Sequence, residues 1–321
     1  MASSDTNSEL VCLACRARTA RGRELYTLSR AGDELVCDNA ACRRRYPIID
    51  GIPIVAPDPD AHLAKWGAEL VDGEPEALAE HLSIYHDAHW ADPATPPPGG
   101  IHQALDEFTG GGLIKRLINS CGGERVGRAV ELGCGPGRGV YELAKGADVV
   151  VGVDAQLAVL RRARRMFDGE PVDYGRRIVG RHYEPARIGL PARVDNVTLV
   201  CADALDPPLV PQSFDRVVAL NVVDAVLSPP QLIAVVDGLC APGGEVILAS
   251  PYAWQSGIVA DEHRFGGADP AAALRRRLVE GEALEARYTV EDEADVPWTL
   301  RRDARSAVVY QVHWLRARKS R

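Results

Sequence analysis

The chain has no apolar run approaching the roughly 20 residues needed to cross a bilayer, which excludes a membrane-spanning helix. Its first residues, MASSDTNSEL, have neither the basic start nor the apolar middle of a secretory signal, so a cytoplasmic location is expected. It has no excess of positive charge either. A formal net charge of -8 argues against a protein whose main task is gripping phosphate backbones, and nucleic acid is disfavoured as a partner. No internal repeat is visible. What is present is 321 residues of ordinary globular composition, 46% hydrophobic and 26% charged, enough for about two domains.

Structural disulfides are not expected in a reducing compartment, so the eight cysteines need another explanation. Cys121, Cys134, Cys201 and Cys240 stand singly and read as small core residues. The other four are grouped: Cys12 and Cys15 in CLAC, Cys37 and Cys42 in CDNAAC, with 21 residues between the pairs. Two short cysteine pairs joined by a loop suit a tetrahedral structural zinc site, as in zinc ribbons. In so small a region the metal would supply much of the folding free energy. A redox role for CLAC is the alternative.

Three regions follow. Residues 1–57 hold the grouped cysteines. Residues 58–100 form a connector with helical spacing at Leu63, Trp66, Leu70 and at Leu78, Leu82, Tyr85, closed by the linker DPATPPPGG. His81, His86 and His89 read as a polar helix face or part of a lid more readily than as a metal pair. Residues 101–321 alternate strand and helix signals, the pattern of an α/β fold with a mainly parallel sheet. The expected strands are 128–133, 148–154, 196–202, 214–222 and 244–250, then 283–291 and 307–318 as an antiparallel closing pair.

The stretch ELGCGPGRG, 131–139, places four glycines in nine positions directly after an apolar run. A strand entering such a turn lets backbone approach a ligand that Cβ atoms would exclude. The dinucleotide fingerprint G-x-G-x-x-G is missing: counted from Gly133 its third glycine falls on Arg138, counted from Gly135 on Val140. The pattern is E-x-G-x-G-x-G, and it resembles the first motif of class I S-adenosylmethionine (SAM) methyltransferases. That resemblance implies a Rossmann-like seven-stranded sheet with an antiparallel closing strand. It also implies that Glu131, Gly133, Gly135 and Gly137 hold the amino acid end of SAM. Asp154, 17 residues after Gly137, then serves the ribose hydroxyls. Asp203 and Ala204 stand at the adenine, and Asn221 ends the fourth strand.

Two further likenesses narrow the expectation. The segment SPYAWQSGIVADEHRFGG (250–267), the DVP turn at 295–297, Arg301 with Arg305, and the insert around RHYEPARIGL resemble the methyltransferase of ovothiol biosynthesis, which methylates a ring nitrogen of 5-thiohistidine. The resemblance implies a small imidazole acceptor, with Asn221, Asp224, Tyr252, Trp254, Glu262, Arg301 and Arg305 as pocket candidates. Tyr252 and Trp254 would wall a flat ring, and the two arginines would clamp a carboxylate. Arg264, Arg302 and Ala307 depart from that family's pattern, which leaves a different small molecule open. There is no N-P-P-Y after the fourth strand. The second likeness is CRRRYPIIDGIPIVAP (42–57), which resembles the small zinc-ribbon activators of methyltransferases. It implies a ribbon packing on the catalytic domain in cis. Methylation of RNA or protein recruited through the ribbon, and a noncatalytic SAM-binding regulator, are the alternatives.

Overall fold

Strands buried on both faces read as unbroken apolar runs, and the middle of this molecule is made of them. In the computed structural model, residues 9–18, 25–66, 76–90, 112–123, 125–255 and 257–321 are described. Four small strands come first: β1 (Leu28–Ala31), β2 (Glu34–Cys37), β3 (Arg45–Ile49) and β4 (Ile52–Pro53). The large sheet uses β5 (Val126–Leu132), β6 (Ala147–Asp154), β9 (Val197–Cys201), β10 (Phe214–Leu220), β11 (Cys240–Ser250), β12 (Tyr288–Arg301) and β13 (Ala307–Lys319). Its order is β12-β13-β11-β10-β5-β6-β9. The pairs from β11 to β9 are parallel, while β13 runs antiparallel to both β11 and β12. This is the expected Rossmann-like arrangement, a mainly parallel seven-stranded sheet with its antiparallel closing strand.

Helices α5 (Arg138–Lys145), α6 (Leu157–Phe167), α7 (Pro229–Leu239) and α8 (Pro270–Glu280) connect the strands. Their ends are written locally. Ser228 accepts the Gln231 N–H and Pro229 opens α7; Asp269 accepts the Ala272 N–H and Gly281 closes α8 in the left-handed region. Before the sheet come α1 (Leu13–Arg18), α2 (Pro59–Trp66), α3 (Glu76–Trp90) and α4 (Gly112–Cys121). Leu70 and the linker 92–100 lie outside the described residues. Among the described residues no helix is long and apolar enough to cross a membrane.

Two expectations need correction. The DVP segment is no turn: Asp295, Val296 and Pro297 sit within β12, and Pro297 is opposite Gln311 of β13. β12 is the sheet's outermost strand, where proline's missing N–H interrupts no ladder on the free side. Consequently the strand expected at 283–291 begins at Tyr288 and continues to Arg301. The insert between β6 and β9 is itself a hairpin, β7 (Val172–Val179) with β8 (His182–Ile188).

The cysteine region does not stand apart. Ile54 bridges Cys201 in parallel, the Val55 N–H donates to the Cys201 carbonyl (3.0 Å), and Leu10 bridges Leu209. Leu10, Leu28, Leu35 and Tyr46 belong to the same buried apolar cluster as Val130, Val151, Val200 and Leu248 of the large sheet.

Candidate functional site

The glycine turn follows β5, and all three of its alternating glycines have positive φ: Gly133 at 69°, Gly135 at 49° and Gly137 at 83°. Each has its own reason. A Cβ on Gly133 would meet Val222 at 2.7 Å, and one on Gly137 would meet Ala163 of α6 at 2.9 Å. Around Gly135 nothing stands within 4 Å, so there the turn offers bare backbone to open space. Glu131 is buried under the first turn of α5, so close to Gly139 that any Cβ there would overlap its carboxylate. The Val140 N–H donates to it, yet burial, with Asp154 adding to it, pushes its pKa up to about 8. Its Oε2 has no hydrogen-bond partner.

Asp154 ends β6 and holds the turn from the other side. Its carboxylate accepts the N–H of Gly135 (2.8 Å) and of Gln156 (2.9 Å). Burial raises its pKa against those hydrogen bonds. Asp203 follows β9, exposed, with one oxygen taken by the Leu205 N–H; Ala204 beside it is buried. His62 of α2 was not singled out by sequence. Its Nε2 lies 3.0 Å from the Ala155 carbonyl and 3.5 Å from the Cys201 thiol, so the connector reaches the Asp154 corner.

At the ends of β10 and β11 stand Asn221, Asp224, Tyr252 and Trp254. The buried Oδ1 of Asn221 has no partner. Asp224 is buried and accepts the Ser250 hydroxyl (2.9 Å) and the Ala253 N–H (3.0 Å); burial raises its pKa. The rings of Tyr252 and Trp254 lie 5.7 Å apart, with Phe265 at 6.4 and 5.6 Å from them. Glu262 is exposed in a short turn.

The two arginines are not brought together as a clamp. Arg301 is buried and donates Nη1 to Asp87 of α3 (3.0 Å), with its Nε and Nη2 left without a partner among the described residues, while Arg305 is exposed in the turn between β12 and β13. A buried guanidinium needs a carboxylate partner, and Asp87 meets part of that need.

The histidine helix also differs from a polar face. Along α3, Leu82, Ser83, His86, Asp87 and Trp90 are buried, because Asp87 meets Arg176 and Tyr174 of the hairpin as well as Arg301. Trp90 donates its indole N–H to the Pro136 carbonyl in the glycine turn (2.9 Å), and Arg138 donates to the His89 carbonyl (3.2 Å). His81, Tyr85 and His89 stack at 4.4 and 6.1 Å, and Trp298 of β12 closes on Tyr85 and His89. Burial lowers the pKa of His81 and His86 and takes His89 down to about 3, so these rings are neutral. Burial raises the Tyr85 phenol, with Tyr310, Asp224 and Asp154 all close enough to add to it. Thus α3 lies against the glycine turn, the hairpin and β12, with Asp224 near enough to Tyr85 to act on its charge.

An acid at the end of each of two neighbouring strands, a bare turn at the end of the next strand and α3 against that turn suit a nucleoside with a charged tail. Residues 130–248 match the family described as "Methyltransferase domain". The chain carries a class I SAM-dependent methyltransferase domain. Among solved structures this chain is similar to YcgJ from Bacillus subtilis, at 12% identity and TM-score 0.42, over 65% of this chain and 98% of that one. It is also similar to the N-methyltransferase NodS from Bradyrhizobium japonicum, at 15% identity and TM-score 0.40, over 65% and 93%. No curated protein matches the sequence significantly. The methyltransferase domain's donor set fits SAM: Gly135 leaves room for it, Asp154 and Asp203 offer carboxylate oxygens, and Asn221 an unused amide oxygen.

In the N-terminal region, the sulfurs of Cys12, Cys15, Cys37 and Cys42 lie within 4.8 Å of one another. The contacts Cys12–Cys42 and Cys15–Cys37 are 3.9 and 3.6 Å. Four thiolates at Zn–S bonds of about 2.3 Å require S–S edges near 3.8 Å. The Asn39 amide donates to the Cys15 sulfur (3.4 Å) and the Tyr46 hydroxyl lies 3.4 Å from that of Cys12, the outer support such ligands need.

Proposed function

We propose that the protein transfers the methyl group of SAM to a ring nitrogen of a small imidazole compound such as a thiohistidine. The observation that carries this reading is the position of α3. Its Trp90 is bonded to the Pro136 carbonyl of the glycine turn, and its Tyr85 and His89 meet Trp298 of β12, with Asp154 and Asp224 both close enough to Tyr85 to raise its phenol, which supports a small acceptor held beneath α3. The surroundings are aromatic (Tyr85, His89, Trp254, Trp298), which suits a flat ring.

When bound, SAM supplies the reactive methyl; the chain supplies alignment and exclusion of water. Gly133, Gly135 and Gly137 would hold its amino acid end, with Glu131 beneath them fixing the turn. Asp154 would take the ribose, Asp203 and Ala204 the adenine edge. Asn221, Asp224, Tyr252 and Trp254 would line the acceptor side, with Glu262 and Arg305 at its exposed rim and Arg301 holding the roof through Asp87. The cysteine cluster would hold a structural zinc ion, and the ribbon would serve the methyltransferase domain in cis by covering the β9 edge.

The test is mass spectrometry of the full chain with SAM and 5-thiohistidine, histidine or related imidazole thiols. A gain of one methyl on any of them is expected. SAM binding with no gain on any, and transfer to RNA or protein instead, would overturn the small-molecule reading.

A further inference from the structure

Three non-glycine residues at the acceptor end hold left-handed backbone: Asn221 (φ 54°), Tyr252 (52°) and Trp254 (40°). Such conformations cost energy and persist only where the surroundings over-determine them. Here Asp224 pins the turn through the Ser250 hydroxyl and the Ala253 N–H, while the Tyr252 N–H donates to the Ser250 oxygen (3.0 Å). The effect is to turn the Tyr252 ring toward β13. Its hydroxyl lies 2.8 Å from Nδ1 of His313, and Nε2 of that ring lies 3.0 Å from Glu293 of β12. His313 is buried; Glu293 is part-exposed, with Arg275 of α8 3.9 Å away. Hydroxyl, imidazole and carboxylate thus run in line from the acceptor end to the surface.

We propose that Tyr252, His313 and Glu293 form a chain that carries the acceptor's displaced proton out of the pocket. This rests on the methyl-transfer reading above. When a neutral imidazole is methylated, the sulfonium C–S bond breaks and an N–C bond forms with the ring lone pair. The ring becomes a cation and must lose the proton on its other nitrogen. Tyr252 Oη takes that proton while passing its own to His313 Nδ1. The imidazolium so formed is balanced by Glu293, which delivers the Nε2 proton to water. No further reactant is needed. Tyr252 is the group that touches the acceptor; His313 and Glu293 are positioning residues, the logic of an orienting carboxylate behind a histidine. The charged groups facing the chain are Glu293 and Asp295 of β12, Arg275 of α8, Asp224 after β10 and Asp269 before α8.

The experiment uses the full chain and the variants Y252F and E293Q, with two readouts. Nitrogen NMR of the imidazole rings reads the chain without any acceptor. The His313 ring is expected to donate from Nε2 and accept at Nδ1; Y252F should free Nδ1, and E293Q, whose amide oxygen still accepts from Nε2, should shift that nitrogen's signal through loss of the charge. A proton resident on Nδ1, or signals indifferent to both substitutions, overturns the chain whether or not transfer is seen. The second readout is kcat and KM against pH with 5-thiohistidine. Y252F should lower kcat by about 100-fold, the low end of general acid–base contributions, and E293Q about tenfold with a displaced acidic limb, at little change in KM. Unchanged kcat in both overturns the proton role. Absence of transfer in the unsubstituted protein, with the NMR coupling intact, removes the imidazole reading and the proton role together while the hydrogen-bonded chain itself stands.

Discussion

Gly135 and Gly137 look alike in the sequence, but only one of them is tied to packing. Gly137→Ala adds a methyl 2.9 Å from Ala163 and 3.0 Å from Phe167 at a left-handed φ, so a loss of about 2 kcal/mol or more is expected. Gly135→Ala meets open space and carries only the backbone strain of about 1–2 kcal/mol. Its larger effect should be on SAM affinity, read by calorimetry beside thermal melts of the two variants. Equal SAM affinity in G135A and the parent would remove that turn from the cofactor site. Glu131 gives a second residue-scale expectation. Its folded pKa of about 8 lies above the ordinary carboxylate value, so the stability linked to its proton is full below about pH 4.3. That stability is lost as pH rises through 8, at about 1.4 kcal/mol per pH unit between the two values. Glu131→Gln should therefore melt higher than the parent at pH 7 without ligand, the gap closing toward pH 4.5.

At the scale of elements, α3 behaves as a fixed roof at neutral pH and as an acid-sensitive one below it. The His89 pKa of about 3 lies below the ordinary histidine value, so its contribution is present above pH 6.5 and is lost as pH falls toward 3. Hydrogen-exchange protection over residues 80–90, taken relative to the intrinsic exchange rate at each pH, should fall between pH 7 and 5, and His89→Asn should flatten that dependence. Trp90→Phe removes the indole bond to Pro136, about 1 kcal/mol, and should loosen the glycine turn as well. None of this was legible in HLSIYHDAHW. A helical period was visible there, but the polar stripe is buried by partners far away in sequence: Asp87 and Arg301 are 214 residues apart. The central strands were legible because burial on both faces writes a continuous apolar run. The hairpin β7–β8 was not, since its exposed, charged strands carry no such run. Pro297 misled for a related reason. A proline signals a turn unless the strand lies at a sheet edge, and edge position is a property of topology.

For the whole molecule, the cysteine region shares one buried apolar cluster with the large sheet, so the two are expected to unfold as one cooperative unit. If the four cysteines hold a metal as proposed, a chelator under reducing conditions should lower the melting temperature of the entire chain in a single transition. Two separate transitions, the later one unmoved, would show the cysteine region to be an independent appendage. The four-cysteine spacing was readable from the sequence, and the glycine turn with it, because both are local. That the connector's His62 reaches the Ala155 carbonyl was not, because it depends on where two distant segments are brought together.

The strand margins described above carry one more consequence. A sheet with an open rim is a template on which other chains polymerise. Here one rim, β9, is engaged by the cysteine region through Ile54 and Val55, and the opposite rim, β12, is interrupted at Pro297, whose carbonyl lies against the start of α4. The molecule thus caps its own growth at both ends, and unfolding of the cysteine region would uncap one of them: fibrillar aggregation should then begin at the β9 side.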